Sequence, residues 1–111
     1  MVEAKKTAIN WVDENKERII EISDEVWDYA ELGFKEFKSA KLLANELKKH
    51  GFKVEEGVGD MPTAFVGTWG SGKPVIGVMG EYDALPGLSQ KKQPTQEPAS
   101  PDAPCILCPQ P

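Results

Sequence analysis

The sequence predicts an α/β chain: two amphipathic helices, then about three strands of a mixed sheet, then a tail without regular structure. Three observations carry this. Apolar residues recur at helical spacing up to about His50. Beyond it they alternate or run together, as strands do. After about Gln90 neither pattern continues. The chain therefore divides into a partial α/β domain at 1–90 and a proline-rich tail at 91–111.

The first helix is set by Ala8, Trp11, Val12, Ile19, Ile22, Val26 and Ala30, whose gaps of three, four or their sums share one face. It is expected from about Val2 to Ala30, with a possible break near Asn15. A left-handed Gly33 is expected to stop it. The second helix covers about Glu36 to His50 and should bury Phe37, Ala40, Leu43, Ala44 and Leu47. Lys48, Lys49 and His50 fall in its last turn, where the helix dipole favours positive charge. Gly51 is the stop signal, and Phe52 should pack back on that turn.

Three strands follow. Phe52 to Glu55 alternates like an edge strand, and Thr63 to Trp69 reads as a second. Gly70-Ser71-Gly72-Lys73 is a tight turn. Pro74 to Gly80 is a near-continuous apolar run, as expected of a central strand covered on both faces. In the tail stand Pro94, Pro98, Pro101, Pro104, Pro109 and Pro111, with no glycine or aromatic residue. Such a segment supports neither ladders nor a core and is read as disordered.

Composition excludes some functions. The 111 residues carry 18 acids against 13 bases, a net charge of -5, which is unsuited to meeting phosphates, so no nucleic-acid partner is expected. No apolar run is long enough to span a bilayer, so no membrane partner is expected either. The charged start is not a secretory signal. Both cysteines, Cys105 and Cys108, lie in the tail, and a body without cysteine fits a cytoplasmic protein.

Two motifs are set aside. Gly67-Thr68-Trp69-Gly70-Ser71-Gly72-Lys73 approaches a phosphate-binding loop. That loop needs Ser or Thr after the Lys and then a helix, whereas Pro74 and a strand follow here. A hairpin turn is the better reading. Cys105-Ile106-Leu107-Cys108 has the spacing of half a zinc site, but His50 is the only histidine and lies far away in sequence. His50 itself reads as a helix-end residue and not as a ligand. No residue is assigned as a metal ligand.

The segment Gly80-Glu81-Tyr82-Asp83-Ala84-Leu85-Pro86-Gly87 carries the candidate site. Glu81 and Asp83 are two apart at the end of the expected central strand, so both project to one side if the strand persists. Ligands of open α/β sheets bind at such strand ends. Paired carboxylates there suit metal binding, or the holding of a ligating imidazole. A plain polar turn closed by Pro86-Gly87 is the alternative.

Colinear blocks add a resemblance. Ile22 to Glu36, with Glu31-Leu32-Gly33-Phe34, is one. His50-Gly51-Phe52-Lys53-Val54, Pro62 to Phe65, Gly72 to Ile76 and Gly80 to Gln90 follow in order. Over about residues 5–92 the chain resembles the aminoacylase and carboxypeptidase group of metal-dependent amidohydrolases, and within it the p-aminobenzoyl-glutamate hydrolase branch. The resemblance implies the N-terminal part of a zinc-exopeptidase-like catalytic domain. It implies hydrolysis of a small-molecule amide, an N-acyl amino acid or a p-aminobenzoyl-glutamate-like compound. Zinc or manganese would be the cofactor, and a homo- or hetero-oligomer is possible. Asp83 falls at the position of the family's active-site aspartate, which orients the metal site. Glu81 takes the first place of the family's acid-x-acid or His-x-Asp pair.

The resemblance then stops. Relatives continue into a Gly-His-Gly-Cys-Gly-His segment that binds metal, where this chain has Lys91-Lys92-Gln93-Pro94-Thr95-Gln96-Glu97-Pro98. The residues that would touch the metal are absent, so this chain alone is expected to bind no metal and to be inactive. A frameshift or early stop after about Pro98 would produce such a tail, as would a natural short form. A non-catalytic interaction module is the alternative function. Reading the gene's other frames for the missing segment separates the first cause from the second.

Overall fold

The computed structural model describes residues 2–100. Its elements run α1 (Val2–Tyr29), α2 (Phe37–Lys49), β1 (Lys53–Glu56), a short 3-10 turn (Val58–Asp60) and β2 (Phe65–Thr68). β1 and β2 pair antiparallel, with Lys53 opposite Thr68 and Glu56 opposite Phe65. α2 packs against α1 on one side and both strands on the other. No helix among the described residues is long and apolar enough to cross a membrane.

α1 is continuous over 28 residues, without the expected break at Asn15. The Asn15 side chain instead donates to the Trp11 carbonyl one turn back, 2.8 Å away, within the helix. The helix ends at Tyr29, within a residue of the expected position, but by other means. Ala30 (φ 43°) and Phe34 (φ 66°) take the left-handed conformations, and Gly33 does not. The stop of α2 is as expected. Gly51 is left-handed (φ 83°), Phe52 N–H donates to the Leu47 carbonyl at 3.0 Å, and Gly51 N–H to that of Lys48 at 3.0 Å. These two bonds form a Schellman cap and satisfy carbonyls that the helix end leaves open.

The core is small. Val26, Ala40, Ala44 and Ala84 are its buried apolar residues, with Ser39 beside them. Most of the expected α1 stripe is not covered: Trp11, Val12 and Ile19 are exposed. Length explains this. At 1.5 Å per residue α1 reaches about 42 Å and α2 only about 20 Å, so the N-terminal half of α1 overhangs its partner. Phe37, expected inside, is also exposed, because it lies on the outer face of the first turn of α2, whose Ser39 and Ala40 are buried.

The expected central strand is not formed. Residues 74–80 contain no strand, and Val75, Ile76, Val78 and Met79 are 82–95% exposed. The apolar run reads as a buried strand because it lacks polar residues. A central strand also needs partners on both edges, and the described sheet has only β1 and β2, which pair with each other. Gly70-Ser71-Gly72-Lys73 consequently turns the chain without closing a hairpin. Residues 91–100 are exposed and form bends only, with contacts such as Gln93 Nε2 to Glu97 Oε2 at 2.8 Å. Cys105, Cys108 and the rest of 101–111 lie outside the described residues.

Candidate functional site

The segment 81–84 is held against the end of α1. Ala84 N–H donates to the Glu31 carbonyl at 2.7 Å, and Ala84 forms an isolated parallel bridge with Leu32. Ala84 is buried and Tyr82 half-buried, whereas Glu81 and Asp83 are exposed. The expected period-two alternation is therefore present across these four residues, although no named strand includes them. Tyr82 anchors the inner side. Its hydroxyl donates to the Thr63 carbonyl, and its ring stands 6.0 Å from that of Phe65.

Asp83 reaches the turn after α1. Its Oδ2 lies 3.5 Å from where a side-chain carbon at Gly33 would stand. The Glu31-Leu32-Gly33-Phe34 turn and the Gly80 to Gln90 block, far apart in sequence, thus meet in space. Glu81 is exposed as well. His50 is elsewhere, at the end of α2, in a groove of about 500 Å³ that also includes Trp11, Arg18, Glu46 and Trp69. It packs edge-on to Trp11 at 5.6 Å between ring centres.

The strongest polar contacts near the site involve a residue that sequence reasoning passed over. The Glu31 carboxylate accepts from Lys38 N–H at 3.0 Å, Ser39 N–H at 2.9 Å and the Ser39 hydroxyl at 2.8 Å. Burial alone would raise its pKa, but these donors outweigh it and hold the carboxyl below its usual range. Glu31 thereby does for α2 what a capping side chain would, since Glu36 at the cap position makes no such bond. The sequence carries only half of this signal, a helix whose own cap residue is a poor one. Glu36 is itself buried, and its Oε2 has no hydrogen-bond partner among the described residues. Burial, and then the charges of Glu36 and Glu31, push the Tyr82 hydroxyl pKa up.

Among the described residues no group of three or more His, Cys, Asp or Glu is placed to hold a metal ion. Glu81 and Asp83 are two carboxylates, short of the three protein ligands and open position of a catalytic zinc.

No family model matches the chain. Curated proteins do match. The chain is 48% identical over 80 residues to one of the subunits of p-aminobenzoyl-glutamate hydrolase of Escherichia coli strain K12. It is 43% identical over 79 residues to thermostable carboxypeptidase 1 of Saccharolobus solfataricus. The alignments cover 72% and 69% of this chain. The chain carries a fragment of this amidohydrolase family. Hippurate hydrolase of Campylobacter jejuni is similar too, at 37% over 65 residues, or 59% of the chain. The matches span only 17–20% of these relatives' own lengths. The amidohydrolase fragment thus corresponds to about a fifth of each.

Proposed function

We propose that these residues are the N-terminal part of a metal-dependent hydrolase. Its substrates would be N-acyl amino acids or p-aminobenzoyl-glutamate-like compounds, cleaved at the amide. The observation that carries this is the 48% identity, over 72% of the chain, to a hydrolase named for p-aminobenzoyl-glutamate. The similarity to a hippurate hydrolase supports the same chemistry, because hippurate is also an aromatic acyl group amide-linked to an amino acid. A zinc or manganese ion would polarise the scissile carbonyl and activate a water. We assign Asp83 to orienting that site, with Glu81 as a second exposed carboxylate two residues before it.

The residues present do not complete such a site, so no reaction step is assigned to them. The 111 residues by themselves are proposed to be inactive. The test is to mix the chain with p-aminobenzoyl-glutamate and added zinc or manganese, and to follow release of p-aminobenzoate. No release is expected, and chelator-sensitive release would overturn the proposal of inactivity. A non-catalytic role in pairing with another chain is the second reading, favoured by the exposed apolar run at 75–79. The absence of cysteine before Cys105 supports a cytoplasmic setting.

A further inference from the structure

Asp83 is exposed between two covered neighbours, and no hydrogen bond or ion pair among the described residues holds its carboxylate. Its place beside Gly33 is therefore set through the backbone on either side. On the C-terminal side Ala84 is fastened to the end of α1, by its N–H bond to the Glu31 carbonyl at 2.7 Å and its bridge to Leu32. On the N-terminal side residues 74–80 form no strand, and the hold is the Tyr82 side chain. Its hydroxyl donates to the Thr63 carbonyl, and its ring lies tilted at 38° against Phe65. The acceptor is itself fixed. Thr63 is buried, Ala64 N–H donates to the Met61 carbonyl at 2.9 Å, and Gly57 N–H donates to that of Ala64 at 2.8 Å. Burial, and then the charges of Glu36 and Glu31, raise the Tyr82 hydroxyl pKa, so the group stays a donor. The residues on either side of Asp83 are thus tied to different elements, Ala84 to α1 and Tyr82 to the approach to β2. In an extended segment neighbours face opposite sides, so covering 82 and 84 turns Asp83 outward.

We propose that Tyr82 is a positioning residue: its hydroxyl bond to the Thr63 carbonyl and its ring contact with Phe65 fix the backbone before Asp83, and so hold the Asp83 carboxylate beside the α1 turn at Gly33. The inference rests on the hydrolase reading for its purpose, because a carboxylate that orients other groups must itself be held in place. Its test follows geometry alone. A failed hydrolase assay would leave that geometry standing, and a failed geometry would leave the hydrolase reading standing.

Tyr82→Phe in the full chain tests it, since the variant keeps the ring and removes only the hydroxyl. A nuclear Overhauser contact between the Asp83 β-protons and the Gly33 α-protons is expected in the unaltered chain and should be lost in the variant. Amide exchange at Ala84 should quicken at least about fivefold, the effect of losing one hydrogen bond, and that at Val26 less than about twofold. A contact missing from the unaltered chain or persisting in the variant overturns the proposal. Equal quickening at Ala84 and Val26 also overturns it, because that marks a general loss of stability. A second measurement needs no variant. In urea below the global transition the Tyr82–Phe65 ring contact and the Asp83–Gly33 contact should disappear together. An Asp83–Gly33 contact that outlasts the ring contact would show that Tyr82 does not position Asp83.

Discussion

The Glu31 carboxylate joins three parts of the molecule through one residue. Its side chain holds the first turn of α2, and its carbonyl holds Ala84. Glu31→Gln keeps the shape but removes the charge and replaces one acceptor oxygen with an NH2 group, which cannot accept from a backbone N–H. The loss should be about 1–3 kcal/mol in a urea melt, since bonds to charged groups are the stronger ones. Ser39→Ala should lose less, because two backbone donors remain. A second carboxylate, Glu46, gives a pH prediction. Hydrogen bonding from Arg18, at 2.8 Å, lowers its pKa to about 2. A carboxylate with a lowered folded pKa stabilises above its unfolded pKa and loses that contribution as pH falls through the folded one. The melting temperature should therefore fall between pH 4.5, the ordinary carboxyl value, and about 2. Glu46→Gln should flatten most of that acid limb. An unchanged limb in the variant would move the acid sensitivity to other carboxylates, Glu31 first.

The elements differ in how much of their geometry is local, and that decides what could be read from the residues. The α2 cap is local: a left-handed glycine with two bonds back into the helix. A side chain added at Gly51 would meet both the positive φ and Trp69 Cζ3 at 2.8 Å. Gly51→Ala should cost more than about 1 kcal/mol, measurable by thermal melting. The end of α1 was misread because Gly33 is the residue that most easily turns left-handed, whereas that conformation falls at Ala30 and Phe34. The paired strands were legible from alternation, at Lys53–Glu56 and Phe65–Thr68. The third was not, because an apolar run reports a preference for burial and not the presence of a partner. Val78→Asp checks this correction. Burying a charge in a central strand would cost several kcal/mol, but at 95% exposure Val78 should tolerate Asp within about 0.5 kcal/mol under monomeric conditions. Of the candidate site, Glu81 and Asp83 were visible from spacing and resemblance. The contribution of Glu31 was not, since it depends on the chain folding back after α1.

For the whole molecule the controlling fact is a small core under a long helix. The radius of gyration is 16.3 Å, against about 13 Å for a compact domain of this length. The overhanging half of α1 has little to hold it, and a short helix without tertiary cover is marginal in water. Amide exchange should be fast over residues 2–12 and slow toward Val26. Uniform protection along α1 would show that something covers its N-terminal half.

The contact between Leu32 and Ala84 closes a loop of about 50 residues, and ring closure of that size carries an entropic cost that smaller rings avoid. The helix pair and the β1–β2 ladder close much shorter loops. The site segment is thus the last piece to gain from folding and the first to gain from letting go. Opening at Ala84 would release Asp83 from the α1 turn while leaving the helices and the ladder intact. The candidate carboxylates are then expected to open as a unit of their own, read as faster amide exchange at Ala84 than at Val26.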